Sequence, residues 1–177
     1  KWITSVTGDK PTIAEKQSRL EIALPANSED APGQGYFGAS YISVCQLQGD
    51  FDLQVEYWLL NWPAGNGVRV ALSLDSNQSP PREYNAARVS FGNMDFPEEP
   101  REAYLYGGAD TVNEIVTTGH LSGTLRIQRS AALLTGYYMD QESWVILDTI
   151  PVTPANLHFG VSTWSHNYAF ADQNVTV

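Results

Sequence analysis

The sequence predicts an all-β sandwich, on three observations. Helical periodicity is nearly absent: no window of a dozen residues keeps apolar positions at three-and-four spacing without meeting Gly, Pro or a β-branched run. Two-residue alternation recurs along the chain instead. Gly and Pro punctuate the alternating runs at regular intervals, as in sandwiches and barrels rather than in parallel strands joined by helices.

The first candidate strand is Trp2 to Val6. Arg19 to Leu24 follows, with Leu20, Ile22 and Leu24 on one face. A long, polar and acidic loop, Pro25 to Gly35, leads to Ser40 to Leu47. The clearest alternation is Asp50 to Leu59: Phe51, Leu53, Val55, Tyr57 and Leu59 share one face, and Asp50, Asp52, Gln54 and Glu56 the other. That is the pattern of a strand half-buried on a core. Val68 to Leu74 points Val68, Val70, Leu72 and Leu74 inward, and the turn residues of Asn61-Trp-Pro-Ala-Gly-Asn-Gly between the two suit a hairpin-like return. Further candidates are Tyr84 to Phe91, Glu102 to Tyr106, Thr111 to Thr117, Gly123 to Arg129, Leu133 to Met139, Ser143 to Asp148, Leu157 to Trp164 and Phe170 to Val177. A second loop, Asn93 to Pro100, carries two prolines and three acids. Gly136 permits a close approach or a bulge between Leu134 and Tyr138, and Tyr137, Tyr138 and Trp144 are expected to close the sandwich.

The chain has 177 residues, a length that fits one domain, residues 1–177. Its charge is strongly acidic, 10 Lys+Arg against 20 Asp+Glu for a net −10. Such a surface lacks the cations that neutralise a phosphate backbone or an anionic membrane, which argues against nucleic acid and membrane-surface partners. No apolar run approaches the roughly 20 residues of a membrane-spanning helix. Cys45 is the only cysteine, so a disulfide within the chain and a thiolate metal cluster are both excluded. Its apolar run, Tyr41 to Cys45, reads as a buried strand segment. Three lysines, with many Tyr, Trp, Ser, Asn and Gly, point to an extracellular, cell-surface or periplasmic location.

Gly49-Asp50-Phe51-Asp52-Leu53-Gln54-Val55 and Gly123-Thr-Leu-Arg-Ile-Gln-Arg129 resemble the concanavalin A-like lectin/glucanase superfamily, in particular its laminin-G-like bacterial domains. There a G-D-F-D-x-x-V strand is followed by L-R-I-x-R, a turn, L-x-x-Y-Y, a Trp strand and a closing strand, here Phe170 to Val177. The resemblance implies a jelly-roll sandwich of two curved antiparallel sheets, one convex and one concave. The superfamily holds lectins, interaction modules, β-glucanases and lyases, so fold alone does not select a function. It also implies a structural Ca²⁺ held by loop carboxylates and carbonyls, although no contiguous Asp-x-Asp-x-Asp loop supplies its ligands.

Glycoside hydrolysis requires two carboxylates flanking the scissile bond. The glucanase branch draws them from one strand with a compact Glu-x-Asp-x-(x)-Glu pattern. The nearest match, Asp50-Phe-Asp52-Leu-Gln-Val-Glu56, starts with the wrong residue. Asp52 and Glu56 would also stand about 13 Å apart on a strand, too far for a retaining pair. This run reads as a polar sheet face, while two acids on different strands remain free to meet. No Gly-x-Ser-x-Gly elbow is present, and His120, His158 and His166 have no metal-ligand spacing. Asn77-Gln-Ser79 and Asn174-Val-Thr176 match the N-glycosylation acceptor pattern.

Sugars present apolar faces and hydroxyl edges, so carbohydrate binding needs aromatic platforms with planar hydrogen-bonding groups. The candidate ligand-binding residues are Trp62, Tyr104, Trp164 and His166, with Arg69 and Arg88 placed on faces opposite apolar neighbours. The expectation is a non-catalytic, carbohydrate-directed binding module without a cofactor. The alternatives are a glycoside hydrolase or lyase, and a structural subunit that binds another protein.

Overall fold

The computed structural model describes residues 1–76, 82–92, 101–108, 111–153 and 155–177. The Asn93 to Pro100 loop and the Asn77 acceptor site lie outside the described residues. The described residues form strands β1 (Trp2–Thr7), β2 (Thr12–Lys16), β3 (Arg19–Leu24), β4 (Tyr36–Leu47), β5 (Phe51–Trp58), β6 (Val68–Ser76) and β7 (Arg82–Phe91). The series continues with β8 (Arg101–Gly108), β9 (Thr111–Thr117), β10 (Ser122–Ser130), β11 (Leu133–Asp140), β12 (Ser143–Pro151), β13 (Leu157–His166) and β14 (Val175–Thr176).

These strands build a seven-stranded sheet in the order β1-β4-β13-β6-β7-β8-β9, a four-stranded sheet β12-β11-β10-β5, and a three-stranded sheet β14-β3-β2. The named pairings are antiparallel throughout. Val70, Leu72 and Leu74 of the large sheet pack in one cluster with Leu125, Ile127, Leu134 and Leu147 of the four-stranded sheet. Alternation on β5 and β10 sends Leu53, Val55, Leu125 and Ile127 into this core and leaves Asp52 and Arg126 outside, where they form an ion pair.

The structure departs from the sequence expectation at several elements, each for a physical reason. β5 and β6 are not a hairpin, because they belong to different sheets. The Asn61 to Gly67 connection crosses between the layers, and Gly65 and Gly67 take positive φ of 67° and 79° to turn it. Cys45 is exposed rather than buried. Gln46 pairs with His158 and Ile42 with Gly160, so residues 43–45 of β4 oppose Phe159 alone and bulge outward. The closing strand is only Val175–Thr176, since Ala169 and Phe170 both donate to the His166 carbonyl in a turn. Thr12–Lys16 pairs with β3 although its alternation is too short to mark it.

Gly136 admits a close approach: a Cβ there would lie 2.2 Å from Tyr106 Cδ2, and the β11 register shifts at the next residue. Tyr138 joins the core. Tyr137 and Trp144 do not. They flank the Arg126 guanidinium on the outer face, at 4.9 and 5.0 Å from their ring centroids.

Candidate functional site

The core takes one face of the seven-stranded sheet. Alternation therefore puts Arg69, Ala71, Ser73 and Asp75 of β6 on the other, beside Ser162 and Trp164 of β13 and Gly38 and Ser40 of β4. Register aligns them in rows: Gly38, Trp164 and Arg69 are cross-strand neighbours, as are Ser40, Ser162 and Ala71. The small side chains of the middle rows leave a groove of ≈ 450 Å³. It is lined by Tyr36, Trp164 and His166, by Ser40 and Ser162, and by Asp75 and Glu83. Arg69 and Asp75 are six residues apart on one strand, so the two ends stand about 20 Å apart.

The first end is aromatic. Gly38 seats Trp164, since a Cβ at that position would fall 2.5 Å from Trp164 Cβ and 2.4 Å from the Thr163 carbonyl. The Arg69 guanidinium lies 4.7 Å from the Trp164 ring centroid. His166 meets Trp164 edge-on at 4.9 Å and stacks on Tyr168 at 5.1 Å, while Tyr36 approaches Trp164 edge-on at 6.4 Å. The Pro25 to Gly35 loop braces this end. Asn167 N–H donates to the Gly35 carbonyl at 3.2 Å, and Asp30 accepts from Asn167 Nδ2 at 2.5 Å and Gly35 N–H at 2.6 Å. The Asn167 bond, then the Gly35 bond, holds the Asp30 carboxyl below its usual range.

The second end is acidic. Asp75 is the cross-strand neighbour of both His158 and Glu83. Burial, with Glu83's charge second, pushes the Asp75 carboxyl up to about 6, and His158 opposes this. His158 Nδ1 lies 3.1 Å from the Ser43 carbonyl and Nε2 lies 3.0 Å from Gln46 Nε2. Between the two ends, the Ser73 and Ser162 hydroxyls are hydrogen-bonded at 3.2 Å.

Arg69, Trp164 and His166 thus come together on this face. The other sequence candidates do not. Arg88 is 1% exposed and points into the sandwich, with Nη2 2.7 Å from Glu102 Oε2 and Nη1 donating to the Val89 carbonyl at 2.6 Å. From Ala86 on, both faces of β7 are buried. Val89 packs with Ala71, Ala87, Phe91, Ala103 and Leu105 on the face opposite the main core, so an apolar neighbour there does not mark the interior side. Trp62 packs against the main core and donates its Nε1–H to Glu102 Oε2 at 2.8 Å. Tyr104 is wholly buried, stacked on Tyr138 at 4.3 Å and hydrogen-bonded to the Tyr57 hydroxyl at 2.7 Å. Burial and the Tyr104 bond push the Tyr57 phenol far above its usual range. Tyr104 thus joins the two sheets, while Arg88 and Trp62 converge on Glu102.

Asp75, Glu83, Ser162 and Gly38 were not among the sequence candidates. The polar run Arg69, Ser73, Asp75 on alternate positions marks the face, but Glu83 joins it only through the β6–β7 register. Among the described residues no group of three or more His, Cys, Asp or Glu side chains is placed to hold a metal ion.

No family model matches the chain, and no curated protein matches it. Solved structures do. The Ca²⁺/Man3GlcNAc-bound exoplasmic/lumenal domain of VIP36 aligns with TM-score 0.62 at 12% identity, covering 99% of this chain and 81% of that one. A prokaryotic β-1,3-1,4-glucanase (lichenase) from a mouse hindgut metagenome gives 0.59 at 15%, covering 99% and 88%. The carbohydrate-binding module CBM66 from Bacillus subtilis gives 0.53 at 13%, covering 99% and 94%. At such identities the likeness speaks for fold: the chain is an all-β, concanavalin A-like jelly-roll sandwich of antiparallel sheets.

Proposed function

We propose that this chain is a carbohydrate-directed module acting outside the cytoplasm, with its glycan seated in the groove of the seven-stranded sheet. The observation that carries the reading is the aromatic end. Trp164 is fixed by Gly38 and Arg69 and stands at the head of a groove floored by Ser40 and Ser162. Aromatic surface meets the apolar face of a sugar ring, and hydroxyls and a guanidinium meet its edges. Structural neighbours that include a Man3GlcNAc-bound lectin domain and a carbohydrate-binding module support the same class of ligand. A glycan array probed with the wild type and Trp164→Ala tests it. The variant is expected to lose binding at least tenfold while still melting as a folded protein above the assay temperature. Equal binding by both removes the groove.

A second reading, glycoside hydrolysis, is favoured by one feature, the Asp75–Glu83 pair. Cross-strand neighbours hold their Cβ atoms about 4.5–5.5 Å apart, which suits the roughly 5–5.5 Å between the carboxyls of a retaining pair. In this reading the half-buried Asp75, protonated near pH 6, is the general acid and exposed Glu83 the nucleophile. Reducing-end release from a panel of β-glucans and other polysaccharides tests it. Product formed by the wild type and lost in Glu83→Gln and Asp75→Asn supports hydrolysis; no product from the folded wild type removes it for those substrates.

A further inference from the structure

We propose that the apolar cleft between β3 and β5 is the seat of an added β-strand, an extended peptide running in line with β14 and pairing on both sides. The proposal is independent of the groove's ligand. The cleft measures ≈ 390 Å³, with Leu20 and Ile22 on one wall, Val55 and Tyr57 on the other, and Trp58 and Leu60 at the rim.

Two strand edges face it. β5 is the outer strand of its sheet, paired along Phe51–Trp58 with β10 alone among the described residues. β3 pairs with β14 at Leu24 and Ala23, and Ile22 exchanges reciprocal bonds with Val177 at 2.9 and 3.0 Å. One step along, β14 already bridges the two sheets: Leu60 and Asn61 N–H groups donate to the Thr176 carbonyl at 2.9 and 3.0 Å, and Thr176 N–H donates back to Asn61 at 2.9 Å. The edges there stand one strand apart, about 9.5 Å or two ladder spacings. The cleft prolongs that gap.

Alternation fixes which backbone groups point into it. Ile22 bonds toward β14, so Leu20 presents its N–H and C=O to the same side. Leu59 N–H goes to the Leu121 carbonyl of the β10 side at 2.7 Å, so Trp58 and Glu56 present theirs to the cleft. A strand in line with β14 therefore meets Trp58, Leu20 and Glu56 in succession, on alternate sides, as a central antiparallel strand does. The walls demand an apolar side chain at every second position. Leu20 and Val55 point inward yet stay only half-buried, since the cleft leaves them uncovered. Two backbone edges above an apolar floor specify an extended peptide rather than a sugar.

The test appends Thr-Val-Thr-Val after Val177, which places both valines inward. Its control appends Thr-Pro-Thr-Pro, which lacks the N–H groups that bond to Leu20. The first tail is expected to raise the melting temperature by about 5 °C and to slow amide exchange at Leu20, Glu56 and Trp58 at least tenfold, and the second to change neither. Unchanged exchange with the Thr-Val tail, or equal protection with both tails, overturns the proposal. Dimerisation of the protein without a tail, with Glu56 and Trp58 protected, assigns the cleft to a second copy and overturns it too.

Discussion

Asp75→Asn is expected to stabilise the protein at neutral pH and to lose most of that effect in acid. The folded environment raises the carboxyl from 3.8 to about 6, which at about 1.36 kcal/mol per unit amounts to roughly 3 kcal/mol. Asp75 is only half-buried, so solvent screening reduces the figure to about 1–2 kcal/mol. The sign follows from proton binding. Between pH 3.8 and about 6 the folded state holds a proton that the unfolded chain has released, so stability falls as pH rises through this window. Above it the full penalty of a charged Asp75 beside Glu83 persists. Asparagine keeps the shape without the charge. Urea denaturation is expected to show the variant about 1–2 kcal/mol more stable at pH 7.5, shrinking to less than about a quarter of that at pH 3.5. A variant no more stable than wild type at pH 7.5, or equally stabilised at both pH values, would refute the electrostatic account of this end of the groove. An NMR titration of the Asp75 carboxyl in Glu83→Gln separates the causes, with a midpoint expected below that of the wild type.

The interior gives two further predictions. Arg88→Met leaves Glu102 without its cationic partner in a nearly closed interior, and urea denaturation is expected to show a loss of about 3 kcal/mol; a change below about 1 kcal/mol contradicts a stabilising role for this pair between β7 and β8. Gly136→Ala drives a methyl into the buried Tyr106 ring, with an expected loss of about 1–3 kcal/mol in the same assay; a neutral result means that the ring gives way.

Much of the fold was legible because alternation reports a half-buried strand. Phe51 to Tyr57 and Leu125 to Gln128 divide between core and solvent as their sequence pattern requires. The pattern fails where a strand is buried on both faces. On β7 the apolar Val89 belongs to a second cluster, so Arg88 lies in the interior and not beside a ligand. It also fails at a bulge, where residues 43–45 lose their partner spacing and Cys45 turns outward. Tyr137 and Trp144 fail differently: an aromatic outside the core satisfies its ring by stacking on Arg126, a contact that needs three strands in register. The site was half legible for the same reason. Arg69 and Trp164 are separated by nearly a hundred positions and meet as cross-strand neighbours, and Asp75 finds Glu83 only through the β6–β7 ladder.

The central claim is that the aromatic end of the groove holds a glycan, and one paired measurement tests it most directly. Wild type and Trp164→Ala are applied to the same glycan array, with their melting temperatures recorded. The expected result is a glycan bound by the wild type and at least tenfold weaker binding by a variant that is folded at the assay temperature. Undiminished binding by a folded Trp164→Ala variant would contradict it.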